Sequence, residues 1–238
     1  MAICEKVSVI LPTYNEKDNI ASLVQAIQHY LCGRLHEIIV IDDNSVDGTF
    51  EKALQLRDSS VKVFSRRQKR SLAESIKDGL RCCEGNIVVV MDSDFNHQPH
   101  YLPLMLDMLL QCDGVFASRF LPGGGMANRL RYCLSAVFNS FARRFFHIKA
   151  TDCFYGFFAI KKQILSKCCY DEIFYGHGDY CMRLLFYLQK IRAYLLEVPV
   201  INGRRLSGRR KMGFLVMFWR YLVAMKRLKK MHPERVYV

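Results

Sequence analysis

The amino-acid sequence predicts an α/β fold with a mostly parallel central sheet and helices on both faces. Through residue 118, short runs rich in Val and Ile alternate with segments whose apolar residues recur at helical spacing. Strands of such continuous apolar character are typical of parallel sheets that are covered on both faces. At 238 residues the chain is long enough for one well-buried domain with a small addition.

The first half of the chain is predicted to contain five strands and four helices. The strands are residues 7–11, ended by Pro12, then 37–41, 61–64, 87–91 and 114–118. The helices are residues 20–31, with Asn15 as N-cap, then 47–57, 71–82 and 99–110, where Pro99 is an early helical residue.

After residue 120 the pattern is less regular. A Gly-rich loop at 123–125 precedes a predicted helix that ends near residue 146. The remaining predicted elements are a strand at 152–160, a helix at 178–189, a strand at 193–200, a basic loop at 203–211 and a final helix. We therefore expect a globular domain at residues 1–211 and an amphipathic basic helix and tail at residues 212–238.

The net charge of +13 is concentrated at the end of the chain. Residues 201–238 hold 11 Lys and Arg against one Glu, whereas residues 1–200 hold 24 against 21 Asp and Glu. A basic end predicts an anionic partner, which is a class that includes lipid headgroups, nucleic acid and phosphorylated substrates.

The final predicted helix carries an apolar stripe opposite basic residues, and two interpretations stay open. It either lies at the interface of an anionic membrane or packs against the core with a solvated basic end. Charge-free stretches such as 132–142 are far shorter than the roughly 20 residues that span a bilayer, and no signal peptide is recognised, so we expect a cytosolic protein. The stripe consists of Phe214, Phe218, Tyr221, Leu222, Met225 and Leu228.

Three predicted strands end in polar clusters, which begin at Pro12, Asp42 and Asp92. The carboxyl ends of parallel strands meet at one edge, where open α/β sheets bind their ligands. Asp92 and Asp94 would place two hard oxygen ligands there for Mg²⁺ or Mn²⁺, with positions left for phosphate oxygens. Turn formation and helix capping would explain any one cluster alone. Three acidic clusters at one edge favour a site for a nucleotide and a metal ion.

With these motifs the chain resembles the family 2 glycosyltransferases, and within them the dolichyl-phosphate and polyprenyl-phosphate mannose synthases. The resemblance runs from about residue 6 to residue 212 and implies a GT-A fold, which is a nucleotide-sugar-binding α/β sheet. Its markers are P-T-Y-N-E from Pro12, I-D-D-N-S-x-D-G-T from Ile41, D-S-D-F-N-H from Asp92, Asp152 ahead of G-F-F, and E-V-P from Glu197.

The resemblance also implies roles for individual residues. The base and ribose of a nucleotide would lie against Pro12, Tyr14, Glu16, Ile41 and Asp43. Asp92, Ser93 and Asp94 would follow the diphosphate, and Asp92, Asp94 and Asn96 would hold the metal ion. Because Asn is shorter than the Gln common in the family, a bridging water is an alternative to direct ligation by Asn96. Phosphates would face Arg119, Arg131 and Arg205, with Lys211 at the position of a family Lys and Asp179 where other members place a general base.

We therefore predict a metal-dependent inverting glycosyltransferase in which Asp94, Arg119 and Arg205 support catalysis. It would move a sugar, most readily mannose from GDP-mannose, onto a polyprenyl phosphate at the cytosolic face of a membrane. The metal ion and the arginines would stabilise the departing diphosphate. An acceptor phosphate is already an anion and needs no base.

Two alternatives stay open. One is a family 2 transferase that uses another nucleotide sugar and a hydroxyl acceptor, with Asp179 as the base. The other is a non-enzymatic basic module for membranes or nucleic acid, which would leave the clustered acids unexplained; we expect no nucleic-acid partner. A membrane-anchoring partner subunit is compatible with the resemblance, since some related synthases rely on one.

Overall fold

A computed structural model describes residues 5–56 and 58–203, together with Val223, Lys226 and Leu228. Within these residues, seven strands form one sheet: β1 (Val7–Thr13), β2 (Leu35–Asp42), β3 (Val61–Ser65), β4 (Ile87–Val90), β5 (Gly114–Ser118), β6 (Phe158–Lys161) and β7 (Leu195–Pro199). The helices are α1 (Lys17–Tyr30), α2 (Thr49–Leu54), α3 (Leu72–Cys82), α4 (Leu102–Met108), α5 (Arg129–Phe146), α6 (Lys162–Leu165), α7 (Tyr170–Ile173) and α8 (Tyr180–Lys190).

The strand order is β3-β2-β1-β4-β6-β5-β7. All neighbouring pairs are parallel except those of β6, which runs antiparallel to both β4 and β5. The chain builds outward from β1 to β3 and then crosses back to place β4 on the other side of β1. The topological switch point of the sheet therefore lies between β1 and β4, and crevices at such points bind ligands in open α/β sheets.

Each face of the sheet carries its own apolar cluster. In β1, Ile10 faces one cluster and Val9 and Leu11 face the other, as the two-residue period of a strand requires. Helices α3, α5 and α8 cover the first face, and α1 and α4 cover the second. The predicted α/β class with both faces covered is confirmed.

Helix α3 illustrates how local sequence starts an element. Its N-cap is Ser71, whose hydroxyl accepts a hydrogen bond from the Glu74 amide at 3.3 Å. Its apolar residues Ala73, Ile76 and Leu80 lie on one face and are buried in the first cluster. The prediction of a helix over residues 71–82 agrees with α3 to within one residue.

Strand β1 continues through Pro12 to Thr13, so the prediction that Pro12 ends it is wrong. The Ile10 carbonyl accepts a hydrogen bond from the Met91 amide, on the β4 side of the strand. The Thr13 carbonyl accepts one from the Asp43 amide, on the β2 side. By alternation Pro12 faces β4, where the ladder has already ended at the Ile10–Val90 pair. The missing N–H of Pro12 therefore removes no ladder bond.

The strand predicted at 152–160 is much shorter than expected, because only residues 158–161 are extended as β6. The preceding backbone donates to side chains instead: the Thr151 amide to Glu197 at 2.8 Å and the Cys153 amide to Asn139 at 2.7 Å. Backbone amides that donate to side chains in this way are not available for hydrogen bonds to a neighbouring strand.

Asn15 does not cap α1, contrary to the prediction. It has a positive φ of 52°, and Glu16 occupies the N-cap position without a side-chain capping bond. The Asn15 side-chain oxygen instead accepts from the Val46 amide at 3.1 Å, while the Asn15 amide donates to the Ser45 hydroxyl at 2.8 Å. Asn15 thus joins the loops that follow β1 and β2.

The predicted final helix lies mostly outside the described residues. Val223, Lys226 and Leu228 are helical; the first two are exposed, and Leu228 is fully buried in the cluster that also holds residues of α5 and α8. The burial of Leu228, which is the one residue of the stripe among those described, favours the core-packing interpretation. Among the helices described, none has the length and apolarity needed to cross a membrane.

A substitution of Gly79 tests the close packing of α3 on β1. A Cβ at Gly79 would meet Ile10 Cγ2 at 2.5 Å. Gly to Ala normally favours a helix, but here we expect Gly79→Ala to lower the free energy of unfolding by about 1–3 kcal/mol through overpacking. Urea unfolding followed by circular dichroism measures this. Gly125→Ala is the control, because its Cβ would meet nothing within 4 Å, and equal stability of the two variants would contradict the prediction.

Candidate active site at the carboxyl edge of the sheet

The Ser93 hydroxyl connects the turn after β4 to the end of β1 by hydrogen bonds. Ser93 Oγ donates to the Pro12 carbonyl at 3.1 Å and lies 2.9 Å from Thr13 Oγ1. All three residues are buried. The D-S-D turn is therefore fixed directly to the end of β1, at the switch point of the sheet.

His97 is a buried residue that stabilises the D-S-D turn. Its Nδ1 accepts from the Asp92 amide at 2.8 Å, and its ring stacks on Phe157 and meets Tyr155 edge-on. Complete burial lowers the pKa of His97 to about 3, so the imidazole is neutral and suited to accept this bond. His97 is therefore a hydrogen-bond acceptor that fixes the backbone of the turn at Asp92.

The two aspartates of the turn differ in exposure. The Asp92 side chain is 37% exposed, whereas Asp94 is buried at 3%. Both Asp94 oxygens accept from Asn96, Oδ1 from the backbone amide at 3.0 Å and Oδ2 from the side-chain Nδ2 at 2.8 Å. Within the described part of the chain, no three His, Cys, Asp or Glu side chains are grouped so as to hold a metal ion.

This donor set fits a divalent ion of the Mg²⁺ type. Such ions are commonly held by one or two carboxylates and take their remaining oxygens from substrate phosphates and water. Two aspartates at an open sheet edge meet that description, and among the residues that the structure describes they are not joined by a third His, Cys, Asp or Glu.

Asp43, at the end of β2, is held in a buried ion pair. Its Oδ1 accepts from Arg66 Nη1 at 2.6 Å and its Oδ2 from the Ser71 amide at 2.6 Å. Burial raises the pKa of Asp43, and the Ser71 amide and Arg66 oppose that rise. The pair ties the ends of β2 and β3 to the N-terminus of α3. Nucleotide binding by Asp43 stays a prediction.

Tyr14 and Glu16 lie on the loop after β1. The Arg70 guanidinium lies over the Tyr14 ring at 4.3 Å from its centroid. Glu16 is buried and accepts from Asn19 Nδ2 at 2.7 Å. Ile41 is 1% exposed, and its side chain belongs to the core beneath the site rather than to its surface.

Two other acids of the β2 loop form turns, as the alternative explanation of these clusters anticipated. Asp42 accepts from the amide and the hydroxyl of Ser45. Asp47 accepts from the amide and the hydroxyl of Thr49, just before α2. Asp42 and Asp47 therefore stabilise the conformation of the loop. They are not counted among the carboxylates proposed to bind a substrate or a metal ion.

Arg119 is buried and held by Asp152 in a two-bond contact, with Nε at 2.7 Å and Nη2 at 2.9 Å from its oxygens. Its guanidinium also lies 4.7 Å from the centre of the Tyr155 ring. The Glu197 carboxylate accepts hydrogen bonds from the amide and the hydroxyl of Thr151 and so fixes the segment that carries Asp152. Arg119 is thus a positioned cation and not a solvated surface charge.

Asp179 is also paired. Its Oδ2 accepts from Arg183, which is fully buried and also donates to the carbonyl oxygens of Ile173 and Tyr175. Its Oδ1 accepts from the His177 amide at 3.2 Å. The adjoining turn reaches α3, since the Ser71 hydroxyl donates to the Gly176 carbonyl at 2.6 Å. Asp179 therefore lies on the same side of the sheet as Asp43, with both oxygens engaged.

Arg131 lies in the first turn of α5, and its amide is capped by the Asn128 side chain at 2.8 Å. Arg205 and Lys211 lie outside the described residues. The segment that leads to them is placed, however: the Gly203 amide donates to the Asn96 carbonyl at 2.9 Å. The basic stretch consequently begins next to the D-S-D turn.

Three residues of this edge were missed by the sequence interpretation. Arg66 pairs with Asp43, Arg183 pairs with Asp179, and Asn202 bonds to Asn96. A signal was available for Arg66 alone, because it follows β3 directly and the end of β3 lies at the same edge. The other two depend on approaches between distant segments that periodicity does not encode.

Comparisons with known proteins agree with this geometry. Residues 8–169 match the family model described as glycosyl transferase family 2. The chain belongs to glycosyltransferase family 2. It is 32% identical over 237 residues to a dolichol-phosphate mannosyltransferase of Pyrococcus furiosus, covering 96% of this chain and 65% of that protein. It is 31% identical to a polyprenol monophosphomannose synthase of Mycolicibacterium smegmatis, covering 88% of this chain and 82% of that protein.

Solved structures show the same fold. Glucosyl-3-phosphoglycerate synthase from Mycobacterium tuberculosis, crystallised with Mn²⁺, UDP and its glucosyl product, superposes with a TM-score of 0.72 at 21% identity. The match covers 95% of this chain and 79% of that one. The expected GT-A fold is confirmed.

Removal of Arg66 tests the buried pair at the end of β2. Arg66→Met leaves Asp43 buried without its cation, so we expect the free energy of unfolding to fall by about 3–5 kcal/mol. Chemical denaturation at pH 7 measures the change. Arg67→Met, at the exposed neighbouring position, is the control and should stay within about 0.5 kcal/mol of the parent protein. If Arg66→Met were as stable as the control, Asp43 would not depend on this pair.

Proposed function

We propose that the protein transfers mannose from a nucleotide-diphosphate donor, GDP-mannose, to a polyprenyl phosphate, with Mg²⁺ or Mn²⁺ at Asp92 and Asp94. The observation that carries the proposal is the location of the D-S-D turn at the switch point between β1 and β4, fixed by Ser93 to Pro12 and Thr13. The names of the Pyrococcus and Mycolicibacterium relatives support the sugar and the acceptor class. This chain spans 65% of the length of the Pyrococcus relative. The activity is therefore a proposal, and it is argued from the residues of this chain.

The metal ion, when bound, would act as a Lewis acid toward the diphosphate that leaves. Asp92, which is partly exposed, and Asp94, which is held by Asn96, are the residues that would hold it. The chain's own contribution is to fix these carboxylates before the donor arrives, so that no reorganisation is needed during the reaction.

A phosphate acceptor suits this edge better than a hydroxyl acceptor. A hydroxyl must lose a proton to a free base, but both oxygens of Asp179 accept from Arg183 and the His177 amide. An acceptor phosphate is ionised already and needs positive charge to approach the donor diphosphate. Arg119 supplies buried positive charge at the end of β5, and Arg131, Arg205 and Lys211 are proposed to add to it.

An exposed face of α5 supports access to a membrane lipid. Leu130, Leu134, Val137 and Phe141 are 42–71% exposed and recur at helical spacing. The helix contains four Arg and no Asp or Glu. Its Tyr132 ring lies 5.1 Å from that of Phe120, the neighbour of Arg119. We propose that this face rests on the anionic, cytosolic surface of a membrane, with the basic C-terminal segment as a second contact.

The activity is tested by incubating the protein with radiolabelled nucleotide sugars, a polyprenyl phosphate and Mn²⁺ or Mg²⁺. We expect mannosyl transfer from GDP-mannose, loss of transfer with EDTA, and a fall of roughly 100-fold or more for Asp94→Asn. Asp18→Asn, at an exposed position of α1, is the control and should keep full activity. Full transfer by Asp94→Asn at ordinary metal concentration would contradict the metal role. Transfer to a soluble hydroxyl acceptor that is lost in Asp179→Asn would establish the alternative chemistry.

The membrane face is tested with vesicles. Placing carboxylates on the apolar stripe by Val137→Glu with Phe141→Glu should weaken sedimentation with phosphatidylglycerol vesicles by about tenfold or more, because apolar burial is lost and charge repulsion is added. Transfer to a short, water-soluble isoprenyl phosphate should persist. Leu104→Glu with Leu110→Glu, on the other side of the sheet and similarly exposed, is the matched control. Equal vesicle binding by both double variants would refute the assignment of α5.

A further inference from the structure

Asn96 occupies the centre of a hydrogen-bonded cluster that joins three segments. Its side-chain Nδ2 donates to Asp94 Oδ2 at 2.8 Å, and its side-chain Oδ1 accepts from Asn202 Nδ2 at 3.3 Å. Its backbone carbonyl accepts from the Tyr155 hydroxyl at 3.0 Å and from the Gly203 amide at 2.9 Å. The segments are the D-S-D turn, the loop before β6 and the chain that leaves β7.

The orientation of both amide side chains follows from chemistry. A carboxylate only accepts hydrogen bonds, so the Asn96 atom that meets Asp94 is the nitrogen, and its oxygen must face Asn202. Asn202 in turn meets two oxygens, Asn96 Oδ1 and the Gly203 carbonyl at 3.1 Å, which requires its nitrogen there. The side-chain oxygen of Asn96, which is the atom that would ligate a metal ion, therefore already accepts a hydrogen bond from Asn202.

Segment 202–203 is held at this place by its backbone as well. The Asn202 amide donates to the Gly125 carbonyl at 2.9 Å, next to a bridge between Gly125 and Ile201. A Cβ at Gly203 would collide with the Phe95 carbonyl oxygen and would also meet Gln98 Nε2 at 2.9 Å. Only glycine lets the chain pass this closely over the D-S-D-F-N turn.

We infer that Asn96 and Asn202 are positioning residues: they hold Asp94 in the orientation that binds the metal ion and fasten the start of the basic segment to the same turn. This rests on the proposed function, because it concerns how Asp94 is presented to the metal ion and the donor diphosphate. Asn96 does not ligate the ion through its side-chain oxygen. The shorter side chain found here in place of the family's common Gln thus serves to orient a ligand.

The test is the affinity for Mn²⁺, measured by the electron paramagnetic resonance of free Mn²⁺, alone and with GDP. Asn202→Ala removes the donor and frees the Asn96 oxygen. If that oxygen were a ligand, Mn²⁺ affinity would stay the same or rise. We expect it to fall about 10-fold or more, the usual effect of losing a group that orients a metal ligand. Asn96→Ala should lower the Mn²⁺ affinity by a similar factor. The double variant should bind Mn²⁺ as tightly as the single variant that has the lower affinity.

Gly203→Ala is a second, independent variant, since it displaces segment 202–203 and leaves both Asn side chains intact. It should lower Mn²⁺ affinity as Asn202→Ala does, whereas the control Gln111→Ala, at an exposed position, should not. Circular dichroism verifies that each variant is folded. Unchanged Mn²⁺ affinity in folded Asn202→Ala and Gly203→Ala, with loss in Asn96→Ala, would overturn the inference and make Asn96 a direct ligand. Absence of Mn²⁺ binding by the parent protein with GDP would instead overturn the proposed function itself.

Discussion

The constraint on which the whole edge depends is the concentration of carboxylates at one edge of the sheet, where β2 and β4 end and the chain approaches β6. Asp43, Asp94 and Asp152 are all buried there, and unpaired charges in such positions would be costly. The chain offsets each one with fixed donors: Arg66 and the Ser71 amide for Asp43, Asn96 for Asp94, and Arg119 for Asp152. The paired acids hold loops together, and the less buried Asp92 is left closest to solvent.

These pairs also determine what the site can do chemically. A carboxylate that is neutralised by a buried Arg, as Asp179 is by Arg183, is poorly suited to remove a proton. Arg119 is held in place by Asp152, so its guanidinium would need no reorganisation to meet a phosphate, and the ion pair as a whole is neutral. The engagement of both Asp179 oxygens therefore agrees with the proposed transfer to an acceptor that needs no deprotonation.

Much of the fold was predictable, because continuous Val and Ile runs and helical spacing are local properties. Strand β5 was predicted to the residue, and α3 to within one. The location of Asp92 and Asp94 at a ligand-binding edge followed from the same pattern. Two of the errors share a physical cause: Asn15 and residues 152–157 direct their polar groups to partners far away in sequence. Such bonds compete with regular structure and depend on tertiary approach, which no local period records.

The antiparallel direction of β6 has an architectural consequence. Because Phe158 pairs with Val90, β6 begins at the edge where β4 ends, and the residues just before it cross that edge. Asp152 and Tyr155 reach the centre from a stretch of chain that takes no part in building β1 to β4. Substitutions between β5 and β6 can therefore alter this edge of the sheet while β1 to β4 keep their shape, which provides a route by which one frame comes to serve chemically different recipients.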